Sequence, residues 1–507
     1  MGRMSLLGLD CICGVAAAQT AKEMALQLKR AMRLTRTVEL RLDWLKGTRE
    51  IVRLLGWLKA HRPRATLIAT CRRRPAGGRF AGGVAGQIAV LMAAVAAGCK
   101  WCDMELETTG RFRPGRLKAL FGRARVLVSW HDFRRTPSSL RPALRDLERC
   151  HVDAVKLATQ CNSIPESLRV LAVARGRRNV VVVPMGEIGL PARVLALRAG
   201  SAIAYAPVSE ATAPGQVSLE EMKQLYRADK LNRRTRMYGV IGDPVSHSLS
   251  PLLHNTGFIA RRMNAVYLPF LVRDLRDFLA AVPELRIGGF SVTLPHKQAF
   301  LRHLDGCDPL AEAIGAVNTV VVRGGGKLYG YNTDYIGVLR ALEERVPLRG
   351  SRVLIFGAGG SARAAAFALA RGGAVVSVCA RRAAKARELA RAVGGEIIPR
   401  SRLRREYFDA IVNATPVGMF PQERQSPLGP NELNCRMVMD MVYRPMRTEL
   451  LRRAAHRGIE IVSGVEMFLA QGIAQWEIWT GLRAPEAAMR RAVLAALRRE
   501  ERQQGAV

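Results

Sequence analysis

Val353-Leu354-Ile355-Phe356-Gly357-Ala358-Gly359-Gly360-Ser361-Ala362-Arg363-Ala364 decides how the C-terminal third of this chain is read. Four apolar residues of strand character run into a glycine turn and then into an alanine-rich helix, the order that a dinucleotide-binding unit requires. Gly357 permits the tight turn and Gly359 leaves room for a pyrophosphate. The N–H groups that open the helix, from Ala358 through Gly360 and Ser361, supply its donors. Outward from this stretch, the next strand, Ala374 to Ala380, ends in Arg381-Arg382 with Lys385 close behind. A carboxylate at that place suits the ribose hydroxyl of NAD, whereas cations suit the extra phosphate of NADP. Arg is abundant throughout the chain, so the missing carboxylate carries more weight than the arginines, and NADP(H) is the expected cofactor.

The chain has 507 residues, 49% of them hydrophobic, enough for two or three packed cores. Its formal net charge is +37, and a charge of that size raises nucleic acid as a partner. The arginines, however, are spread through every segment, with no aromatic-interleaved basic tract and no nucleic-acid motif. Solvated arginine faces are the expected reading, and nucleic acid is not an expected partner. Cys11-Ile12-Cys13 and Cys99-Lys100-Trp101-Cys102 have spacings seen in metal sites, but neither has a second pair or a nearby histidine, so no metal is expected. The apolar stretch from Met4 to Ala18 is interrupted by Asp10 and reads as a first strand, not a signal peptide. No run of about 18 apolar residues suggests a membrane span, and a cytoplasmic enzyme is expected.

Only 12 of the 79 basic residues are lysine, so arginine serves wherever a positive charge suffices. A lysine that persists can be there for its amine, which, unlike a guanidinium, can lose a proton and act as nucleophile or base. Lys156 lies in the apolar run Val152-Asp153-Ala154-Val155-Lys156-Leu157-Ala158, and Lys297 ends Gly289-Phe290-Ser291-Val292-Thr293-Leu294-Pro295-His296-Lys297. The two lie about 140 residues apart, which points to two active sites on one polypeptide. Up to about residue 220 the sequence alternates strands with helices, with strands expected at 5–13, 37–43, 66–71, 100–105, 125–130, 152–157, 179–184 and 201–206. Eight such units are the number of a closed (β/α)8 barrel. Polar residues crowd the strand ends: Glu39 and Arg41, Arg72, Glu105, His131, Lys156, then Arg193. That is where barrel active sites lie. Residues 221–236 are read as a linker, 237–340 as a substrate-binding domain completed by helices near 465–500, and 341–464 as the Rossmann domain.

The barrel segment resembles type I 3-dehydroquinate dehydratase, through Glu39-Leu40-Arg41-Leu42-Asp43, Ser129-Trp130-His131-Asp132-Phe133 with Thr136-Pro137, Val155-Lys156-Leu157-Ala158, Met185-Gly186-Glu187-Ile188-Gly189 followed by Arg193, and Ala213-Pro214-Gly215-Gln216. The resemblance implies that Lys156 forms an imine with the substrate and that His131 moves the protons. It assigns Glu39, Arg41, Arg72, Arg193, Thr212 and Gln216 to holding the substrate or orienting the site. Two departures stand out. Ala76-Gly77-Gly78 has alanine where much of the family has an acid that orients the histidine, and Thr212 replaces a usual serine with its hydroxyl kept.

From Met237 onward the chain resembles shikimate dehydrogenase. Ser246-His247-Ser248-Leu249-Ser250-Pro251 places Ser248 and Ser250 as carboxylate binders, and the strand ending in Lys297 supplies Thr293. Gly315-Ala316-Val317-Asn318-Thr319 and Gly330-Tyr331-Asn332-Thr333-Asp334 supply Asn318 and Asp334, with Lys297 and Asp334 as the proton-transferring pair. Tyr443 and Gln471 match further substrate contacts, and Thr415 and Gly464 complete the expected cofactor contacts. Ser291 stands where many bacterial members have Asn, and keeps a hydrogen-bonding side chain. His247, His254, His296 and His303 are read as structural. The expected function is a bifunctional shikimate-pathway enzyme. Its barrel dehydrates 3-dehydroquinate to 3-dehydroshikimate, and its second half reduces that product to shikimate with NADPH. A quinate dehydrogenase running in degradation is the enzymatic alternative, and a basic nucleic-acid-binding protein on a dead scaffold is the alternative from another class.

Overall fold

The computed structural model describes residues 7–112, 116–209, 215–343, 345–419 and 422–504. The chain forms two compact units, Met1–Thr235 with Pro269–Leu285, and Arg236–Leu268 with Arg286–Val507.

The first unit is built on eight parallel strands: β1 (Ile12–Ala16), β2 (Thr37–Arg41), β3 (Thr66–Thr70), β4 (Trp101–Glu105), β5 (Arg125–Asp132), β6 (Ala154–Gln160), β7 (Val180–Met185) and β8 (Ala204–Pro207). They follow one another in sheet order from β7 down to β1, and β8 pairs with β1. The remaining seam is bridged where Ala202 N–H donates to Val180 O at 2.9 Å and Val182 N–H to Ser201 Oγ at 3.1 Å. The result is the TIM-like barrel that the count of βα units implies. Because side chains alternate along a strand, the residues that fill the lower barrel fix which ones point inward above them. Trp101, Leu127, Ala154 and Val181 share one interior cluster. Two positions further along, Asp103, Ser129, Lys156 and Val183 therefore face the barrel axis too.

The first strand is Ile12–Ala16, whereas the sequence suggests 5–13. Met1–Leu6 lie outside the described residues, and Asp10 stops the strand from beginning earlier. Its carboxylate accepts Arg36 N–H at 2.7 Å; residues 7–9 turn, Asp10 makes a single bridge, and the apolar run carries the strand on to Ala16. The reading of 221–236 as a linker also needs correction. That segment coils into short helical turns at Glu221–Leu225 and Ala228–Lys230, with Met222, Tyr226, Ala228 and Leu231 buried. These apolar residues hold it in the first unit, although Lys230, Arg233, Arg234 and Arg236 make it look solvated. Pro269–Leu285 clusters with the first unit, although the strand Ala265–Leu271 pairs into a sheet of the second. It carries a helix, Leu275–Leu285, whose Phe278, Ala281 and Val282 are buried.

The second unit holds two sheets. One orders its strands β10-β9-β11-β13-β14-β12, namely β9 (Arg236–Gly242), β10 (Ala265–Leu271), β11 (Ile287–Val292), β12 (Gly306–Cys307), β13 (Thr319–Val322) and β14 (Leu328–Tyr331). In this sheet β11 runs parallel to β9 and antiparallel to β13. The other sheet comprises β15 (Arg352–Phe356), β16 (Val375–Cys379), β17 (Glu396–Ile397), β18 (Phe408–Asn413), β19 (Cys435–Asp440) and β20 (Glu460–Ser463). Its order is β17-β16-β15-β18-β19-β20, all parallel. That is the 3-2-1-4-5-6 order of a Rossmann sheet, whose ligand crevice lies past the carboxyl ends of the strands on either side of the first.

Candidate active sites

Lys156 sits at the centre of the barrel mouth with its side chain 5% exposed. Its ammonium is bonded to the Asp103 carboxylate, lies 3.7 Å from Glu39 Oε1, and stands 4.5 Å from the centroid of the Tyr205 ring. Asp103 is also held by Ser129 Oγ at 2.6 Å and approached by an Arg72 nitrogen at 3.5 Å. Burial alone would raise the Asp103 carboxyl, but the charges of Lys156 and Arg72, with the hydrogen bonds it accepts, hold it below the ordinary range. Thr70 Oγ1 donates to Glu39 at 2.7 Å and fixes that carboxylate in turn.

His131, at the end of β5, opens into the same cavity, which measures about 550 Å3 and is lined also by Glu39, Arg41, Arg72, Arg193 and Gln216. Its imidazole is pressed well below its usual value, first by burial and then by the charges of Arg72, Lys156 and Arg41, so it stands ready as a neutral base. Ala76, which stands in place of that acid, closes a short turn at Arg74–Ala76. The His131 ring instead stacks on Phe133, with centroids 5.5 Å apart and planes 13° from parallel. Gly77 makes room for that stack: its φ is +76°, and a β-carbon there would lie 2.4 Å from the Phe133 ring.

The arginines differ in how they are held. Arg41 is clamped by Asp43 through Nε at 2.9 Å and Nη2 at 2.8 Å, which leaves Nη1 outside the pair. Arg193 is buried, donates to Pro184 O at 3.4 Å, and is lowered to about 10 by desolvation. A buried guanidinium with so little compensation is a receptor for an anion. Glu105, at the end of β4, serves the framework: it accepts Arg73 N–H at 2.8 Å and is bonded to Gln87. Thr212 lies outside the described residues.

In the second unit Lys297 is bonded to Asp334 and donates to Ser361 Oγ at 3.1 Å. Asp334 accepts Asn318 Nδ2 at 2.8 Å, and the same amide reaches Thr333 Oγ1 at 2.9 Å and Gln471 Oε1 at 3.4 Å. Lys297, Asp334, Asn318 and Gln471 thus share one hydrogen-bonded network. Thr293 lies between β11 and the lysine, and Gly242 makes room for it, since a β-carbon there would lie 2.5 Å from its methyl. Ser248 Oγ accepts Ser250 N–H at 3.2 Å, Tyr443 OH accepts Leu249 N–H at 3.5 Å, and the Tyr443 ring stacks on Phe468. Ser291 bonds Tyr267 OH at 2.6 Å and donates to Gln475 Oε1 at 2.8 Å. Gln475 Nε2 closes the chain on Asn318 O at 3.0 Å. Buried His254 packs in this core, its ring stacked on Tyr267, in line with a structural role.

The glycine turn follows β15. Gly357 has φ +125°, and a β-carbon there would meet Ala414 O at 3.1 Å. One at Gly359 would meet nothing within 4 Å, which leaves the opening of the helix Gly360–Arg371 accessible to a phosphate. One at Gly360 would lie 3.0 Å from Lys297 Cβ. Gly357 N–H donates to Cys379 O at 2.8 Å, which sets the end of β16 beside the turn. Exposed Arg381 and Arg382, with half-buried Lys385, follow that strand end and make no ion pair among the described residues. Thr415, after β18, is fixed by Asn413 through N–H at 3.0 Å and Oγ1 at 2.7 Å. Gly464 opens the helix Gly464–Thr480, where a β-carbon would lie 2.7 Å from Met441 O. These residues suit a dinucleotide carrying a further phosphate. Ser361, expected at the cofactor, also reaches Lys297.

Asp103, Tyr205 and Gln475 are site residues that the motifs do not flag. Asp103 had a signal, because it lies two residues before Glu105 and so shares its inward face. No cluster of three or more His, Cys, Asp or Glu among the described residues is placed to hold a metal ion. No helix of the described residues is long and apolar enough to cross a membrane.

A barrel with an inward lysine beside a neutral histidine, and a Rossmann sheet beside a lysine–aspartate pair, define a chain that joins a lyase to an oxidoreductase. Comparison with known proteins divides it in the same way. The Type I 3-dehydroquinase family matches residues 12–233, the shikimate dehydrogenase substrate binding domain 240–320, and the shikimate 5'-dehydrogenase C-terminal domain 464–494. The bifunctional 3-dehydroquinate dehydratase/shikimate dehydrogenase of Arabidopsis thaliana, described as chloroplastic, is 35% identical over 94% of this chain and 83% of its own. The shikimate dehydrogenase (NADP(+)) of Moorella thermoacetica is 43% identical over 52% of this chain and 94% of its own. A crystal structure of the Thermus thermophilus shikimate 5-dehydrogenase with NADP(H) and shikimate covers 52% of this chain and 100% of that one, at 37% identity and a TM-score of 0.48. The chain belongs to the bifunctional 3-dehydroquinate dehydratase/shikimate dehydrogenase family.

Proposed function

We propose that the barrel dehydrates 3-dehydroquinate through an imine on Lys156 and that the second unit reduces the product, 3-dehydroshikimate, to shikimate with NADPH. The observation that carries the reading is the convergence on one cavity of a buried amine, a neutral imidazole and three arginines. Arg41, Arg72 and Arg193 bind the substrate carboxylate and hydroxyls, with Glu39, Thr212 and Gln216 completing the grip. Lys156, having given up a proton, adds to the ketone, and loss of water leaves an iminium. That cation draws electrons from the neighbouring carbon, so His131 can take its proton. The hydroxyl one carbon further on then leaves as water, carrying the proton that His131 returns. Water finally hydrolyses the imine, releasing the enone and the free amine.

In the second unit the glycine turn and Thr415 hold the dinucleotide, which supplies a hydride when bound. Arg381, Arg382 and Lys385 select the phosphorylated form, and Gly464 admits the helix that bears Gln471. Ser248, Ser250, Thr293 and Tyr443 orient the substrate. The Lys297–Asp334 pair, steadied by Asn318, delivers the proton that turns the carbonyl oxygen into a hydroxyl. The ten cysteine thiols, none paired among the described residues, suit a reducing compartment such as the cytoplasm.

The imine is tested with borohydride added during turnover of 3-dehydroquinate. The expected result is a ligand fixed to Lys156 with loss of dehydration, whereas an active enzyme that is labelled elsewhere or not at all overturns it.

A further inference from the structure

Beneath the Lys156 ammonium lies a residue that the mechanism above does not use. Tyr205, on β8, is 7% exposed and packs in the barrel's interior cluster with Cys13 and Ile203. Its ring face stands 4.5 Å, centroid to nitrogen, from Lys156 Nζ. Its hydroxyl finds no hydrogen-bond partner among the described residues, so packing alone holds the ring there.

The amine that forms an imine begins as a nucleophile and must then carry a positive charge until the final hydrolysis. The groups that pair with it directly, Asp103 and Glu39, are carboxylates, which stabilise a cation but also accept protons. An aromatic face attracts a cation through its quadrupole and cannot take a proton at any working pH. In a cavity sheltered from water that attraction is near its strongest.

We infer that the ring face of Tyr205 is a catalytic surface of the dehydratase that stabilises the iminium formed on Lys156. The inference rests on the imine reading. It assigns the work to the ring and none to the hydroxyl, so phenylalanine should serve in its place.

The test uses the full-length enzyme with Tyr205 replaced by Phe, by phenylalanines bearing one, two and three ring fluorines, and by Leu. Fluorine drains the quadrupole while barely changing ring size, which separates electrostatics from packing. Tyr205→Phe should keep kcat for dehydration within about threefold. Each fluorine should lower kcat, reaching about tenfold at three, the scale of a desolvated cation–π contact. The fraction of enzyme trapped by borohydride during turnover should fall in parallel, and KM should stay nearly flat. Tyr205→Leu should lie at or below the bottom of the series. A kcat that ignores fluorine count overturns the inference, as does a Tyr205→Phe enzyme as slow as Tyr205→Leu, which would give the role to the hydroxyl. A wild-type enzyme that borohydride never traps would instead sink the imine reading beneath it.

Discussion

Each half of the chain centres on a lysine bonded to an aspartate, yet the two pairs are built for different work. The Lys156 side chain is 5% exposed and its Asp103 partner 1%, whereas Lys297 is 16% exposed beside Asp334 at 5%. Around Lys156 stand a second carboxylate, a ring face and a histidine pressed toward neutrality. Around Lys297 stand a serine hydroxyl and, through Asp334, a set of amides. The first environment suits an amine that makes a bond and then bears charge. The second suits a relay whose hydrogen-bond partners stay fixed while a proton passes. A lysine–aspartate contact alone therefore diagnoses neither chemistry; the groups one layer further out do.

The sharpest way to break this contrast is to exchange each lysine for alanine. Lys156→Ala should lower dehydration by more than about a thousandfold, roughly 4 kcal/mol of barrier, and leave NADPH-dependent reduction of added 3-dehydroshikimate near wild type. Lys297→Ala should do the reverse, each activity being followed in its own assay. A tenfold loss in the untouched activity, with the protein still folded, would replace two independent sites by coupled ones.

A smaller effect is expected at the coenzyme. Replacing Arg381 and Lys385 together by alanine should raise KM for NADPH about tenfold or more while hardly changing that for NADH, since a hydrogen bond to a charged group contributes about 1.5–3 kcal/mol. Steady-state kinetics with both coenzymes decides it, and a wild-type enzyme that prefers NADH refutes the reading.

The mildest test concerns the histidine that distinguishes the barrel site. His131 should titrate by NMR well below 6.5, because burial and the neighbouring cations disfavour its charged form. Arg72→Met removes one of those charges and should move the titration upward. An unchanged midpoint would assign the whole shift to desolvation.

Much of this was legible in the sequence. Lys156, Lys297 and the glycine turn declare themselves through composition, strand ends and a strand–turn–helix order, all local signals. Asp103 was harder, because Cys102 and Met104 flank it and the eye goes to Glu105 at the strand end; only the two-residue period reveals its inward face. Tyr205 gives no local sign, since its meaning depends on β8 lying beneath a side chain from β6. Gln475 reaches Asn318 across 157 positions of sequence, so no spacing rule could pair them. The 221–236 segment misled through its charges, while its scattered apolar residues were the ones that fixed it.

The last glycine of the fingerprint has a consequence for redesign. Nucleotide-binding turns are modular, and grafting one from another Rossmann protein is a natural way to change coenzyme preference. Here position 360 is tight, because a β-carbon would lie 3.0 Å from Lys297 Cβ and one of the two would have to give by a few tenths of an ångström. A graft that brought alanine there would press on the Lys297 side chain as well as alter the turn. A change of coenzyme preference is therefore sought first at exposed Arg381 and Arg382, and at 360 only together with the surroundings of Lys297.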